Sequence, residues 1–216
     1  MKKALIVWGG WDGHEPKPCA DLFEDVLTKE GFDVEVSNTL DAFLDAGKLR
    51  TFDLITPMWT CGELTHKRFG SLQEAVLSGV GLGGFHGGMG DAFHDSIPYQ
   101  FMVGGQFTAH PDGAVEYTVH IAKPNDPIVA GTRDFKVRSE QYYMLVDPAV
   151  EVLATTTFEN PKGQPWLKGC VMPVVWTRPW GKGRVFYSSL GHVAKEFSQY
   201  PQMLEITKRG MLWAAR

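Results

Sequence analysis

Residues 3–8 form an unbroken apolar run, the pattern of a central parallel strand covered on both faces. Residues 9–16 follow as a turn-rich loop. Residues 18–30 carry Leu22, Phe23, Val26 and Leu27 at helical spacing, and Gly31 stops that helix. Residues 33–36 alternate as a second strand, 40–46 suit a short helix, and 52–57 form a third strand closed by a loop at 59–65. A helix over 67–77 and a strand over 79–85 complete a repeated β-α pattern. Such a pattern predicts right-handed crossovers and an open parallel sheet with helices on both faces.

The second half is richer in strands. Residues 92–103 suit a helix broken at Pro98, and 104–111 a glycine-rich loop. Residues 115–121 alternate strictly, with Glu116, Thr118 and His120 on the polar face. An irregular stretch at 124–133 precedes a short extended piece at 139–145. A strand follows over 150–158, then a hairpin of 171–177 and 184–189 across a turn at 179–183, and a final helix over 201–215. No repeat or linker divides the chain, so the expectation is one α/β domain over residues 1–216, with a mostly parallel sheet and a β-rich second half.

Composition narrows the partners. A net charge of -4 without a basic patch argues against nucleic acid. The apolar start ends at Gly9-Gly10, too early for a signal peptide, and no run is long enough to span a bilayer. Three cysteines, Cys19, Cys61 and Cys170, lie far apart without a CxxC, which suits free thiols in the cytoplasm. Predicted edge strands and abundant tryptophan are compatible with a homo-oligomer.

Candidate chemistry gathers where strands end. In open α/β sheets, ligands bind beyond the carboxyl ends of the strands. Gly84-Phe85-His86-Gly87-Gly88 has the form of a nucleophile elbow, a strained strand-to-helix turn that lifts its central side chain. Here that residue is a histidine. It is either a structural imidazole or a metal ligand or general base, and the flanking glycines favour the second. His192, after the strand ending at 189, belongs either to the same edge or to a surface loop. Glu140 is a metal ligand, a partner that orients a histidine, a base with raised pKa, or a surface or ion-paired carboxylate. His14 and Asp12 lie on the first β-α loop, as substrate contacts or turn residues. His110 is a further site member or an ordinary loop residue. Asp91 suits a helix cap, and His66 and His120 the surface. Cys61 reads as a small buried apolar residue or as pocket lining.

Trp11, Trp59, Trp176 and Trp180 fall in or beside the edge loops, where indole faces suit sugar rings, although Trp176 fits a core position better. His86, His192 and Glu140 together make a ligand set suited to a divalent metal such as zinc.

Several pieces carry a family resemblance over nearly the whole chain. They are Trp8-Gly9-Gly10 with His14, the His86 elbow, Gly104-Gly105-Gln106-Phe107 with His110-Pro111, Ser139-Glu140-Gln141-Tyr142, and Pro173-Val174-Val175-Trp176 through Gly191-His192. Together they resemble the ThuA-like (trehalose utilisation) family, within the class I glutamine amidotransferase-like superfamily. The resemblance implies a flavodoxin-like sheet and a link to disaccharide metabolism. It also implies site roles for His86, His192 and Glu140, with Tyr142 as a substrate contact. In amidotransferases the elbow carries a catalytic Cys and a late strand is followed by a His, which His192 matches. His86 has no thiolate with which to form an acyl-enzyme. The expectation is a metal-assisted or acid-base enzyme on a sugar-like small molecule. Its rivals are a non-catalytic sugar-binding or regulatory module and a glutamine amidotransferase-type hydrolase.

Overall fold

The computed structural model describes residues 1–216. Its central sheet has nine strands, five parallel and then four antiparallel in order across the sheet. The parallel part comprises β2 (Phe32–Ser37), β1 (Lys2–Gly10), β3 (Leu54–Thr60), β4 (Gly81–Phe85) and β11 (Gly183–Ser188). That strand order is the flavodoxin-like one, with its switch point between β1 and β3. From β11 the sheet continues antiparallel through β10 (Val171–Trp180), β9 (Glu151–Thr157), β6 (Ala114–Ile121) and β7 (Phe135–Glu140), the β-rich second half.

Each face buries its own apolar layer. On one face, Phe23 and Leu27 of α1 (Pro16–Lys29) join Met203, Ile206 and Met211 of α7 (Pro201–Ala214) over Ile6, Leu54 and Phe186. On the other, Phe69, Leu72 and Val76 of α3 (His66–Leu77) and Tyr99 and Met102 of α5 (Ile97–Val103) cover Leu5, Ile55 and Val185. Strand side chains alternate between faces, so β1 divides cleanly: Ala4 and Ile6 to the first layer, Leu5 and Val7 to the second.

Several boundaries differ from the sequence expectation. β1 and β3 run on through 9–10 and 59–60, because Gly9 and Gly10 pair with Trp59 and Thr60. The helix expected over 40–46 is a 3-10 turn, Leu40–Phe43, followed by the short α2 (Ala46–Leu49). Between 92 and 103 only α5 is helical, with Pro98 inside its first turn, where a missing N–H costs nothing, and not at a break. Residues expected to loop at 104–111 include β5 (Gly105–Ala109), which pairs with β8 (Tyr143–Val146) as a separate ribbon. The extended piece at 139–145 is therefore the end of β7, a turn, and β8. β10 continues through Pro179 and Trp180; pairing with β9 has ended by then, so the proline leaves no ladder bond unmade. A short helix, α6 (Ala194–Gln199), lies where none was expected.

The β6–β7 hairpin meets β9 through His120 and Ile121, at the end away from Glu140. Its other end, where Ala114 pairs with Glu140, stands clear of that joint and reaches the carboxyl edge of the parallel strands.

Candidate functional site

The elbow is formed as its glycines require. β4 ends at Phe85, His86 takes φ 47°, and α4 (His86–Gly90) begins at once. A left-handed histidine is a strained position held by its surroundings. Tyr187 Oη donates to the His86 carbonyl oxygen at 3.1 Å, so the strained peptide is tied to β11. Gly87 must lack a side chain, since a Cβ there would lie 2.2 Å from the His14 ring.

His86 is 1% exposed. Its Nδ1 lies 2.8 Å from the Ser189 carbonyl oxygen and its Nε2 3.2 Å from Glu140 Oε2. A carbonyl only accepts, so Nδ1 carries the proton and donates. The Tyr142 ring stacks on the imidazole at 4.0 Å. Burial lowers the pKa of His86 to about 4, against smaller opposing effects from Glu140 and the Ser189 carbonyl. The neutral ring has no second N–H, so its contact with the carboxylate is attractive only where a proton or another cation is shared between Nε2 and Oε2.

His14 is built the same way. It is buried, its Nδ1 lies 2.7 Å from Thr60 Oγ1, and its Nε2 lies 3.8 Å from Glu140 Oε2 and 3.5 Å from Tyr142 Oη. Its ring meets His86 edge-on at 4.9 Å and His192 at 5.2 Å. His192 and His110 address the other carboxylate oxygen, with Nδ1 of His192 3.6 Å and Nε2 of His110 3.7 Å from Glu140 Oε1. Burial lowers the pKa of His192, with Glu140 opposing. Tyr117 Oη holds the Glu140 backbone carbonyl at 3.3 Å.

Four histidines from separate loops thus surround one carboxylate. Burial alone would raise the pKa of Glu140, as the sequence reading supposed. Hydrogen bonding to His14 and His86, with the charges of His86 and His192, outweighs it and lowers the pKa well below the usual carboxylate range. Glu140 is therefore an anion, not a raised-pKa base. The donor atoms of His14, His86 and Glu140 all lie within 4.8 Å of one another. That is a two-His, one-carboxylate set suited to zinc or iron. It differs from the expected set of His86, His192 and Glu140 in its second histidine.

Not every candidate joins this cluster. Trp11 does: it is exposed at the mouth and its ring meets His14 edge-on at 4.8 Å. Trp59 stands on the β3 face opposite Thr60 and covers Gly9, so it turns away from His14. Trp180 lies at the far end of β10, where β11 starts, and Trp176 is fully buried with its Nε1 donating to the Val103 carbonyl. Asp12 is exposed, and its carbonyl oxygen accepts from the Glu15 N–H in a simple turn. Cys61 is exposed, not a buried apolar residue, and partial desolvation with the nearby Asp91 charge raises its thiol pKa. Asp91 is not a helix N-cap; it follows α4 and pairs with His94.

The sequence reading missed the supports. Thr60 fell in a supposed loop, although a hydroxyl at the carboxyl end of an apolar strand was a usable signal. Glu196 sat in the unrecognised α6. It is buried, and its Oε2 accepts from Ser139 Oγ at 2.8 Å and from the His192 N–H at 3.0 Å. One carboxylate therefore ties the residue before Glu140 to the loop of His192.

Comparison with known proteins agrees with this architecture. The family model described as ThuA, trehalose utilisation, matches residues 3–214. A ThuA-like protein from Bacteroides uniformis superposes with a TM-score of 0.80 at 20% identity, over 99% of this chain and 91% of that one. A cytoplasmic protein from Salmonella typhimurium gives 0.69 at 14% identity, over 100% of both chains. A β-galactosidase from Bacillus circulans gives 0.63 at 12% identity, over 99% of this chain but 30% of the galactosidase. No curated protein matches in sequence. The chain belongs to the ThuA family, whose description carries a role in sugar metabolism.

Proposed function

We propose that this ThuA-family chain is an enzyme of sugar metabolism whose reaction centre is the His14, His86 and Glu140 cluster. One observation carries the reading. Nδ1 of His86 is committed to Ser189, so the neutral ring turns the lone pair of Nε2 towards an ionised carboxylate 3.2 Å away. Two acceptors at that distance repel unless a proton or a metal cation lies between them, and burial opposes the proton. A divalent metal such as zinc supplies the cation. The carbonyl behind His86 and the hydroxyl behind His14 are the partners that orient metal-ligating imidazoles.

His14, His86 and Glu140 would hold the ion. A metal bound there would polarise a substrate carbonyl or lower the pKa of a water. His192 and His110, at the other oxygen of Glu140, would take and return a proton. Tyr142 walls the centre against His86, and Trp11 offers an exposed indole to a sugar ring at its mouth. The ligand is a small sugar-like molecule. A cytoplasmic setting draws support from the Salmonella typhimurium proteins of this fold, which are cytoplasmic. The structure has no helix long and apolar enough to cross a membrane.

Elemental analysis of the purified protein tests the centre. The expected result is one divalent metal per chain, lost in His86→Ala and Glu140→Gln but kept in His94→Ala, which disturbs a pair outside the cluster. A wild type that stays metal-free after incubation with zinc, manganese and iron(II) would overturn the metal reading. Metal with no turnover on any sugar would favour a binding or regulatory module.

A further inference from the structure

Four residues other than glycine stand in the left-handed region: Glu15, Cys61, His86 and Phe93. Strain of this kind persists where the surroundings over-determine it, often at functional sites. Glu15, at φ 47° and ψ 53°, is the most constrained of them, because it also precedes Pro16, a setting that favours extended backbone. It ends the 3-10 turn Asp12–His14 and starts α1, so it follows the ligand His14 directly. Glycine takes this conformation freely, and the same loop already uses Gly9, Gly10 and Gly13. What glycine could not supply is the carboxylate.

That carboxylate crosses to a distant part of the chain. Glu15 Oε2 accepts from the Ala194 N–H at 3.1 Å, across 179 positions of sequence. Ala194 opens α6, whose N-cap is Val193, a residue with no side-chain acceptor. Glu15 therefore caps α6 from outside the helix. Farther along, α6 grips the strand that carries Glu140. Glu196 Oε2 accepts from Ser139 Oγ at 2.8 Å, and Tyr200 Oη, at the helix end, accepts from the Arg138 N–H at 3.0 Å. One short helix thus joins the residue after His14 to the two residues before Glu140.

The sheet does not set that separation by itself. β3, β4, β11, β10, β9 and β6 lie between β1 and β7, and the β6–β7 hairpin meets β9 only at its far end. Yet His14 Nε2 and Glu140 Oε2 are 3.8 Å apart. Two metal–ligand bonds of about 2.1 Å span at most about 4.2 Å, so an outward shift of about half an ångström would part the pair.

We propose that Glu15 is a positioning residue of the metal centre: bound to the head of α6, it holds His14 at the distance from Glu140 that one ion spans. The proposal rests on the reading of His14, His86 and Glu140 as metal ligands.

The test is the zinc affinity of the purified, metal-stripped chain against a chromogenic chelator, with the melting temperature of the stripped protein measured beside it. Glu15→Gly keeps the left-handed turn and loses the carboxylate. Glu15→Asp keeps the charge and tolerates the turn, but is one methylene too short for Ala194. Glu15→Gln keeps the reach and loses the charge. The expected result is zinc binding weakened about 10- to 100-fold in Glu15→Gly and Glu15→Asp, and close to wild type in Glu15→Gln. The melting temperature of Glu15→Gly should not fall in step, because relief of the strained turn offsets the lost bond. Adding Val193→Ser to Glu15→Gly gives α6 a cap of its own and should leave zinc binding weak. Wild-type affinity in a folded Glu15→Gly would overturn the positioning role. So would a loss in Glu15→Gln with none in Glu15→Asp, which would make charge the cause, or an affinity restored by Val193→Ser, which would make Glu15 a helix cap only. A wild type that binds no zinc would overturn the metal centre and this role with it, whereas a zinc-binding wild type matched by every variant overturns this role alone.

Discussion

The Nδ1 of His86 lies 2.8 Å from the carbonyl oxygen of Ser189, so the elbow after β4 is locked to the end of its neighbour β11 across 103 positions of sequence. That bond fixes which nitrogen of His86 is protonated, and hence what the opposite nitrogen can do.

If Nε2 of His86 is a metal ligand, the residues behind the ligands should tune affinity without abolishing it. Thr60→Val removes the partner of His14 Nδ1 while keeping the strand's shape. Competition against a chromogenic chelator should show about 10- to 100-fold weaker metal binding. Wild-type affinity in Thr60→Val would count against His14 as a ligand.

The metal-free protein should be acid-sensitive in a defined window. His86 has a folded pKa of about 4 against an ordinary 6.5. Between these values the unfolded chain binds a proton that the native chain refuses, so stability falls as pH drops from 6.5 towards 4. Glu140, whose pKa is also lowered, extends the loss below the ordinary carboxylate pKa of 4.5. The loss attributable to His86 is at most ~3 kcal/mol. Urea titrations at stepped pH should show this slope, and His86→Gln should flatten it between pH 6.5 and 4.

Gly87→Ala tests the packing of the elbow. The added methyl would meet the His14 ring at 2.2 Å, so the ring or α4 must move. Overpacking of this kind costs about 1–3 kcal/mol. Chemical denaturation should report that loss, with weakened metal binding beside it. A wild-type midpoint in Gly87→Ala would mean that His14 is more mobile than its contacts imply.

Glu196→Ala should separate positioning from folding. It leaves the Ser139 hydroxyl and the His192 N–H without their shared acceptor, a cost of about 1–3 kcal/mol for each buried group. On a substrate that the wild type turns over, kcat should fall more than KM rises, because His192 loses its place. Equal effects of Glu196→Ala and Ser139→Ala on stability, with kcat intact, would leave Glu196 a purely structural residue.

Much of this was legible along the chain because it is local. The apolar run at the start, the helical spacing of Phe23 and Leu27, and the glycines around His86 each betray an element within a few residues. Glu140 was harder. Its meaning comes from a hairpin hinged at His120 and Ile121, which no nearby residue announces. His14 joined the donor set because β1 and β3 pair far enough to set Thr60 beneath it, and the strand boundary there was placed too early. Trp59 was misplaced for the same reason, since the strand runs on through it to Thr60 and turns its indole to the other face.

The position of Glu140 also has a kinetic consequence. His14 and His86 come from the first part of the chain, and their common partner arrives on β7, the last strand of the sheet order. Contacts between such distant residues close late, after the loops between them have paid their entropy. A chain still emerging during synthesis, or cut before residue 140, would hold imidazoles with no carboxylate between them. Capture of a metal by all three ligands would therefore report that the whole sheet has formed.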